Sequence, residues 1–414
     1  MNGQTAAIRY ESLDAIRGVA VMGILAMNIL AFALPFSAYM NPLAGGPANG
    51  PDLATWFLSF VLVDSKMRGL FSMLFGASTL LVIQNAAASG RSAAGAHYSR
   101  MAWLAIFGLV HFYFIWFGDI LFLYAMCGLL LFAFRNQSIR VLLIWAAAFL
   151  AVDICFFTSG WLIFALGEAG KLSVEATAQM QGDLARLNAD MGPGAADYAK
   201  EIAMHLGSYG SIVAEKLDER LSEPFISVLM FLWETMGLML IGMALFKSQM
   251  LTGAWEAARY RKWAIIGFLI GLPPLIGLAW YQYASGFSAV STFGASLALS
   301  APFDIAATIG WAALIMLLVK TWASDGVRLR LAAAGRMAFT NYLATSIVMT
   351  TIFYGYGLGL YGSIGRSALY LFCFGMWAAM LLWSKPWLDR FQYGPLEWIW
   401  RSLSRGRLQP MRKA

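Results

Sequence analysis

Long apolar runs recur along the whole chain, most of them near the length a helix needs to cross a hydrocarbon layer, with short basic clusters between them. Lipid offers no partner for backbone N–H and C=O groups, so such runs close their hydrogen bonds internally, as helices. The expected fold is all-α, a polytopic transmembrane helix bundle of about ten transmembrane helices. Of the 414 residues, 60% are hydrophobic and 12% charged, too few charges to cover a water-soluble fold of this length. No long Pro-, Ser- or charge-rich linker interrupts the pattern, so residues 1–414 read as a single transmembrane domain.

The runs place helices near residues 13–35, 67–87 and 101–116, a fourth opening at Asp119, and others near 141–166, 225–246, 263–283, 297–319, 337–358 and 368–383. Residues 56–63 read as an amphipathic interfacial segment. Residues 168–223 are mostly polar, an extracytoplasmic helical loop insertion with short helices expected at 173–191 and 195–206. Residues 387–414 form an amphipathic, basic cytoplasmic tail, whose apolar face suits the membrane surface. Residues 39–54 and 285–297 hold no Lys or Arg and the connection before the last helix only Arg366, whereas every connection on the other side is basic. The positive-inside rule then puts both termini in the cytoplasm and the 168–223 loop outside, long loops being translocated largely regardless of charge. The first run is too long for a cleaved signal and has Arg9 and Arg17 on its inner flank, which suits an uncleaved first helix.

The net charge of +7 lies in these clusters, the pattern of loops against anionic lipid headgroups, so membrane lipid rather than nucleic acid is the expected partner. Cys127, Cys155 and Cys373 all fall in apolar runs without CxxC spacing or a Cys/His cluster, so neither a structural disulfide nor a metal is expected. The absence of P-loop, GxSxG and HExxH patterns removes the sequence support for ATP-driven transport and zinc hydrolysis.

Charged and amide side chains in such runs are costly unless paired or wet, which makes Arg17, Asn28, Arg68, His111, Asp119, Asp153, Glu234, Asp304 and Asn341 candidate site residues. A satisfied interhelical hydrogen bond or a snorkelling charge accounts for any single one of them equally well. Asn28 lies eleven residues beyond Arg17, roughly 16 Å along a helix, and His111 stands at the same spacing from Arg100. Similar mid-membrane depths are expected for Asn28 and His111, with Asp119 above His111 and a polar pocket opening outward. His111 is the only histidine in the core of an apolar run, and a neutral imidazole beside a carboxylate can take a proton from a hydroxyl or amine. His97 is expected in a loop and His205 in the external segment.

The opening SLDAIRGVA at 12–20, continuing to Asn28, resembles the start of the YeiB-like bacterial membrane proteins, which carry domain of unknown function 418. KMRGLFSMLFG at 66–76, His111 with GDIL at 118–121, GRMAFTNY at 335–342 and GPLEWIWR at 394–401 extend the likeness over essentially the whole chain. The first-helix motif is also similar to that of transmembrane acyltransferases, which pass an acyl group from cytosolic acyl-CoA to an acceptor across the membrane. In the bacterial sugar O-acyltransferases a catalytic histidine stands where this chain has Asn28, and the histidine that lysosomal-type relatives carry shortly afterwards is absent as well.

The resemblance implies an acyl-CoA-dependent acyltransferase of the bacterial inner membrane, acting on a sugar or lipid acceptor through its hydroxyl or amine. On that reading His111 is the base, Asp119 orients it, and Asn28 donates to the thioester carbonyl. Arg17 and Arg68 hold anionic groups, and Glu234, Asp304 and Asn341 complete the substrate site. A transporter that uses the same buried charges as a substrate or proton pathway, and a non-catalytic membrane binding protein, stay open alongside it.

Overall fold

The computed structural model describes residues 9–413. In chain order its helices are α1 (Glu11–Ala33), α2 (Phe36–Met40), α3 (Gly50–Leu62), α4 (Lys66–Ala88), α5 (Ala93–Phe114) and α6 (Leu121–Leu131). α7 (Ile139–Glu168) leads to the polar segment, which holds α8 (Val174–Met191), α9 (Tyr198–His205) and α10 (Tyr209–Asp218). The chain returns through α11 (Glu223–Lys247), α12 (Ala257–Ala284) and α13 (Ala289–Phe293), whose π-helical extension Gly294–Leu299 runs into α14 (Ala301–Thr321). α15 (Asp325–Arg336), α16 (Ala338–Phe353), α17 (Arg366–Arg390) and α18 (Pro395–Ser404) complete it. Among the described residues the only β pairing is an isolated bridge between Phe391 and Arg412.

Among the described residues, seven segments are long and apolar enough to cross a membrane: α1, the joined α3–α4, α7, α11, α12, α14 and α17. The expected ten are reached by adding α5, interrupted by Arg100 and His111, and the shorter apolar α6 and α16. α1 is the central post, 72% of its apolar window buried, whereas α7, α12 and α17 bury only 28%, 28% and 22% and turn Leu143, Leu269 and Leu371 outward. Two helix pairs approach through reciprocal glycines. A Cβ on Gly76 of α4 would lie 2.0 Å from the Met239 carbonyl oxygen of α11, and one on Gly242 of α11 1.8 Å from that of Met73. Gly18 of α1 and Gly335 of α15 are in the same relation, with carbonyl oxygens at 2.2 and 1.9 Å. Small residues permit such backbone contact where no hydrophobic force drives helices together.

The bundle has a basic end and a loop end. Lys247 Nζ donates to the Arg135 and Gln137 carbonyls, and Lys320 Nζ to those of Gly253 and Trp255, tying the basic connections together. At the loop end Asn41 Nδ2 donates to the Met191 and Phe287 carbonyls, and Glu201 accepts from the Phe36 N–H. Serines cap the N-termini of α5, α7, α10 and α15 with their own side chains, which fixes where these helices begin.

Four expectations meet a different or fuller structure. Residues 56–63 belong to α3, which buries Trp56, Phe60 and Val61 against α12 and α17 and runs on to α4 within one 39-residue apolar segment. The span breaks at residues 63–65, where Ser65 has φ +60°, and Met67 just after the break packs on Gly23, halfway along α1. The tail folds back onto the bundle. Its first residues extend α17 to Arg390, and α18 packs on α5 and α16, its Trp400 donating to the Arg100 carbonyl. Polar residues 325–336, read as a connection, form α15 along α1. The external segment has a third helix, α10.

Candidate functional site

The loop that closes the α5–α6 hairpin ends at Asp119, one of whose oxygens accepts the Phe122 N–H at 2.8 Å and so starts α6. The other oxygen lies 2.8 Å from His111 Nδ1 in the last turn of α5. Both side chains are almost wholly buried, and His111 Nε2 meets no protein partner. A carboxylate on Nδ1 fixes the tautomer that leaves Nε2 free to accept a proton. The imidazole is flanked by Tyr342 of α16, with ring centres 5.3 Å apart, and by Trp116 at 6.2 Å, which itself stacks on Phe32 at the end of α1. His111 therefore sits nearer the loop end than the mid-membrane depth expected of it.

The main cavity, of about 1030 Å³, opens at the basic end rather than outward. Eight arginines line it (Arg9, Arg17, Arg91, Arg100, Arg336, Arg401, Arg405 and Arg407) against two carboxylates, Asp14 and Glu397. Asp14 is taken by Arg9 and Arg17, at 2.7 and 2.8 Å. Glu397 is taken by the start of α16, accepting from the Phe339 and Thr340 N–H groups and the Thr340 hydroxyl. Among the described residues Arg91, Arg100, Arg401, Arg405 and Arg407 have no carboxylate partner, and Arg17, Arg91, Arg401 and Arg405 all repel Arg100. Deeper, Phe71, Leu74, Phe75, Leu104 and Phe339 make the walls apolar, and the lining reaches Tyr124 and Tyr342. Tyr342 thus touches the cavity on one side and His111 on the other.

Arg68, Glu234 and Asp304 lie elsewhere, around the break between α3 and α4. Arg68 grips Glu234 of α11 with both guanidinium nitrogens, at 2.6 and 3.0 Å, and Asp304 of α14 holds Lys66 at 2.6 Å. Asp153 of α7 is buried within reach of the Glu234 charge, with one oxygen unpartnered. Tyr124 bridges the two regions: its hydroxyl lies 2.5 Å from Ser72 Oγ and 3.4 Å from the Arg68 carbonyl oxygen.

Asn28 is half-buried with no hydrogen bond to the dyad. Asn341 is fully buried and fully engaged, donating to the Ala334 carbonyl and Ser384 and accepting from Trp383 Nε1, so it knits α15, α16 and α17 together. His97 lies on α5 rather than in a loop, its Nε2 bound to the Gly128 carbonyl at 2.7 Å. The sequence reading missed Lys66, Tyr124 and Tyr342 and the part the tail arginines play. The lysine and Tyr342 stand inside the recognised motifs, but a tyrosine in an apolar run carries no distinguishing signal. No cluster of three or more His, Cys, Asp or Glu that could hold a metal ion occurs among the described residues.

The family described as "Protein of unknown function (DUF418)" matches residues 245–407. The uncharacterized protein YeiB of Escherichia coli (strain K12) is 30% identical over 96% of this chain and 96% of its own length. The chain belongs to this YeiB-like family. The uncharacterized protein YxaH of Bacillus subtilis (strain 168) is 31% identical over 98% of this chain and 96% of its own. An uncharacterized 39.9 kDa protein encoded in the amylase 3′ region of Bacillus acidopullulyticus is 24% identical over 97% and 96%. No solved structure matches.

Proposed function

We propose that this YeiB-like protein is an acyltransferase of the bacterial cytoplasmic membrane, moving an acyl group from cytosolic acyl-CoA to a hydroxyl or amine acceptor reached from the outer side. The observation that carries this reading is the His111–Asp119 pair, set one tyrosine beyond a cavity with an arginine mouth and apolar walls. An acyl-CoA has the complementary shape: phosphates for guanidinium forks and an acyl chain for the aromatic and aliphatic walls.

In the reaction, His111 Nε2 takes the proton of the acceptor hydroxyl while its oxygen attacks the thioester carbonyl carbon. The C–S bond breaks, and the imidazolium returns the proton to the departing thiolate, leaving ester and free thiol. Asp119 stabilises the imidazolium in between. On this reading the amide of Asn28, half-buried on α1, is the donor to the carbonyl oxygen as negative charge grows on it.

Purified protein in nanodiscs should bind acyl-CoA saturably and consume the thioester when an acceptor is supplied. His111→Ala should lower transfer by about 10²–10⁴-fold while acyl-CoA binding persists. Full activity in that variant would falsify the assignment of the base, and absence of acyl-CoA binding at every chain length removes the donor.

A transporter is the second reading, and the helix break favours it. Discontinuous helices with charges at mid-depth are where transporters hold substrate and ions, and Lys66–Asp304 and Arg68–Glu234 flank such a break. Uptake into proteoliposomes without acyl-CoA, lost in Glu234→Gln, is the outcome that selects it.

A further inference from the structure

Beyond the dyad, toward the loop end, buried polar atoms without protein partners continue in a row. After His111 Nε2 come Trp116 Nε1, His205 Nε2 and the Tyr354 hydroxyl. The rings that carry them are linked: Trp116 to Phe117 at 5.6 Å, Phe117 to His205 at 6.1 Å, and His205 to Tyr354 at 4.8 Å. A buried donor or acceptor left unpaired costs free energy, and native proteins satisfy nearly all of them. Four along one line of ring contacts, starting from a candidate base, mark a place built to meet a polar molecule.

The cover over this row is α9–α10, held by a few polar latches. Glu201 accepts the Phe36 N–H through both oxygens, at 3.0 and 3.1 Å, and the Tyr361 hydroxyl at 3.2 Å. His205 stacks on Tyr361 with centroids 4.3 Å apart, Tyr209 donates to the Phe114 carbonyl, and Lys216 reaches that of Ile115. Besides these latches the cover packs Ile202, Met204 and Ile212 on the bundle, and its opening is a local event rather than a global one.

We infer that α9–α10 form a lid over a second entrance, through which a neutral, hydroxyl-bearing molecule reaches His111 from the loop end. Neutrality follows from the lining: an indole N–H, a phenol and two imidazoles give and accept hydrogen bonds without selecting a charge, while the ring faces take the apolar side of the ligand. Naming that molecule the acyl acceptor rests on the transfer reading; the entrance itself does not. Donor and acceptor would then meet at the dyad from opposite ends, with Tyr342 on one side and Trp116 on the other.

Thiol labelling tests the entrance without any transfer assay. Cys127, Cys155 and Cys373 are replaced by alanine, and His111→Cys and Trp116→Cys are each made in full-length protein in vesicles of known orientation. A membrane-impermeant methanethiosulfonate reagent is applied to one side at a time. The expected result is modification of both positions from the loop side, Trp116→Cys faster, with about a tenfold gain on adding Glu201→Gln. Glycerol should slow the labelling of Trp116→Cys, and choline or acetate at equal osmolality should not. His205→Cys, on the lid itself, serves if either core variant fails to fold. Modification from the basic side alone, from neither side, or without response to Glu201→Gln overturns the second entrance. Equal protection by glycerol, choline and acetate overturns the ligand class.

Discussion

His111 and Asp119 are eight residues apart and would be unremarkable on a single helix. They meet because the hairpin reverses between them, with Asp119 also starting α6. Asp119→Asn keeps a similar shape but offers an amide that can hold the wrong tautomer. Transfer is expected to fall on the order of 10³-fold or more, with acyl-CoA binding unchanged, measurable from single-turnover thioester loss. Arg68 and Glu234 lend themselves to a different measurement, since each satisfies the other with little exposure. Arg68→Ala or Glu234→Ala alone leaves an uncompensated charge and should cost about 3–5 kcal/mol, read from denaturation in detergent. Arg68→Met with Glu234→Met should recover most of that loss if the pair is structural, whatever it does to function. The sequence marks each of these residues as expensive, because a charge in an apolar run needs a reason. It does not say who pairs with whom: Lys66 with Asp304 and Arg68 with Glu234 are contacts over more than 160 positions, set by packing alone.

At the scale of elements, the apolar runs were legible because length and hydropathy are local properties, and α7 and α11 start and stop within two residues of their expected bounds. α15 was not, since its polar residues conceal a strip from Ala332 to Gly335 that matters only against α1. Nor was the role of α18, where alternating apolar and basic residues suit a membrane surface as well as they suit a protein groove. The structure decides through Glu397, which accepts two N–H groups and a hydroxyl at the start of α16. Glu397→Ala should destabilise the docking of α18 by about 1–2 kcal/mol and expose the tail to proteases at the basic end. Because Arg401, Arg405 and Arg407 lie on or after α18, the same change should weaken acyl-CoA binding and reduce its dependence on salt, as titration at two ionic strengths would show.

For the whole molecule, docking of α9–α10 should depend on pH through groups outside the membrane. Burial pushes His205 down to about 4 and Lys216 down to about 8. Both are bases whose protonated form the docked state disfavours, so the undocked segment binds more protons between each lowered value and the ordinary one. Docking therefore weakens as pH falls from about 10.5 toward 8, through Lys216, and again from about 6.5 toward 4, through His205. Each window is worth about 3 kcal/mol at most. Hydrogen exchange across residues 198–218 should accelerate at pH 5 relative to pH 7, beyond the intrinsic effect of pH, and His205→Asn should flatten that response. The division of the molecule into a basic end and a loop end was readable from charge alone, and the described chain does begin and finish at the basic end. The long cavity was not, because its walls come from helices far apart in sequence.

That cavity also has an electrical consequence. Were water to fill it from the basic end, the potential of that compartment would reach as far as Tyr342, and the insulating layer of the protein would be thinner than the bilayer around it. The membrane voltage would then fall mainly across the slab containing His111, Asp119 and Trp116. As His111 relays the acceptor's proton to the departing thiolate, charge shifts from the Trp116 side toward the Tyr342 side and crosses part of that voltage, each 100 mV being worth up to about 2.3 kcal/mol per charge. Proton transfer at the dyad becomes a step that an energised membrane can bias. The rate in vesicles clamped by a potassium gradient with valinomycin should therefore shift with the sign of the gradient, and should not shift in nanodiscs, where no voltage can be held.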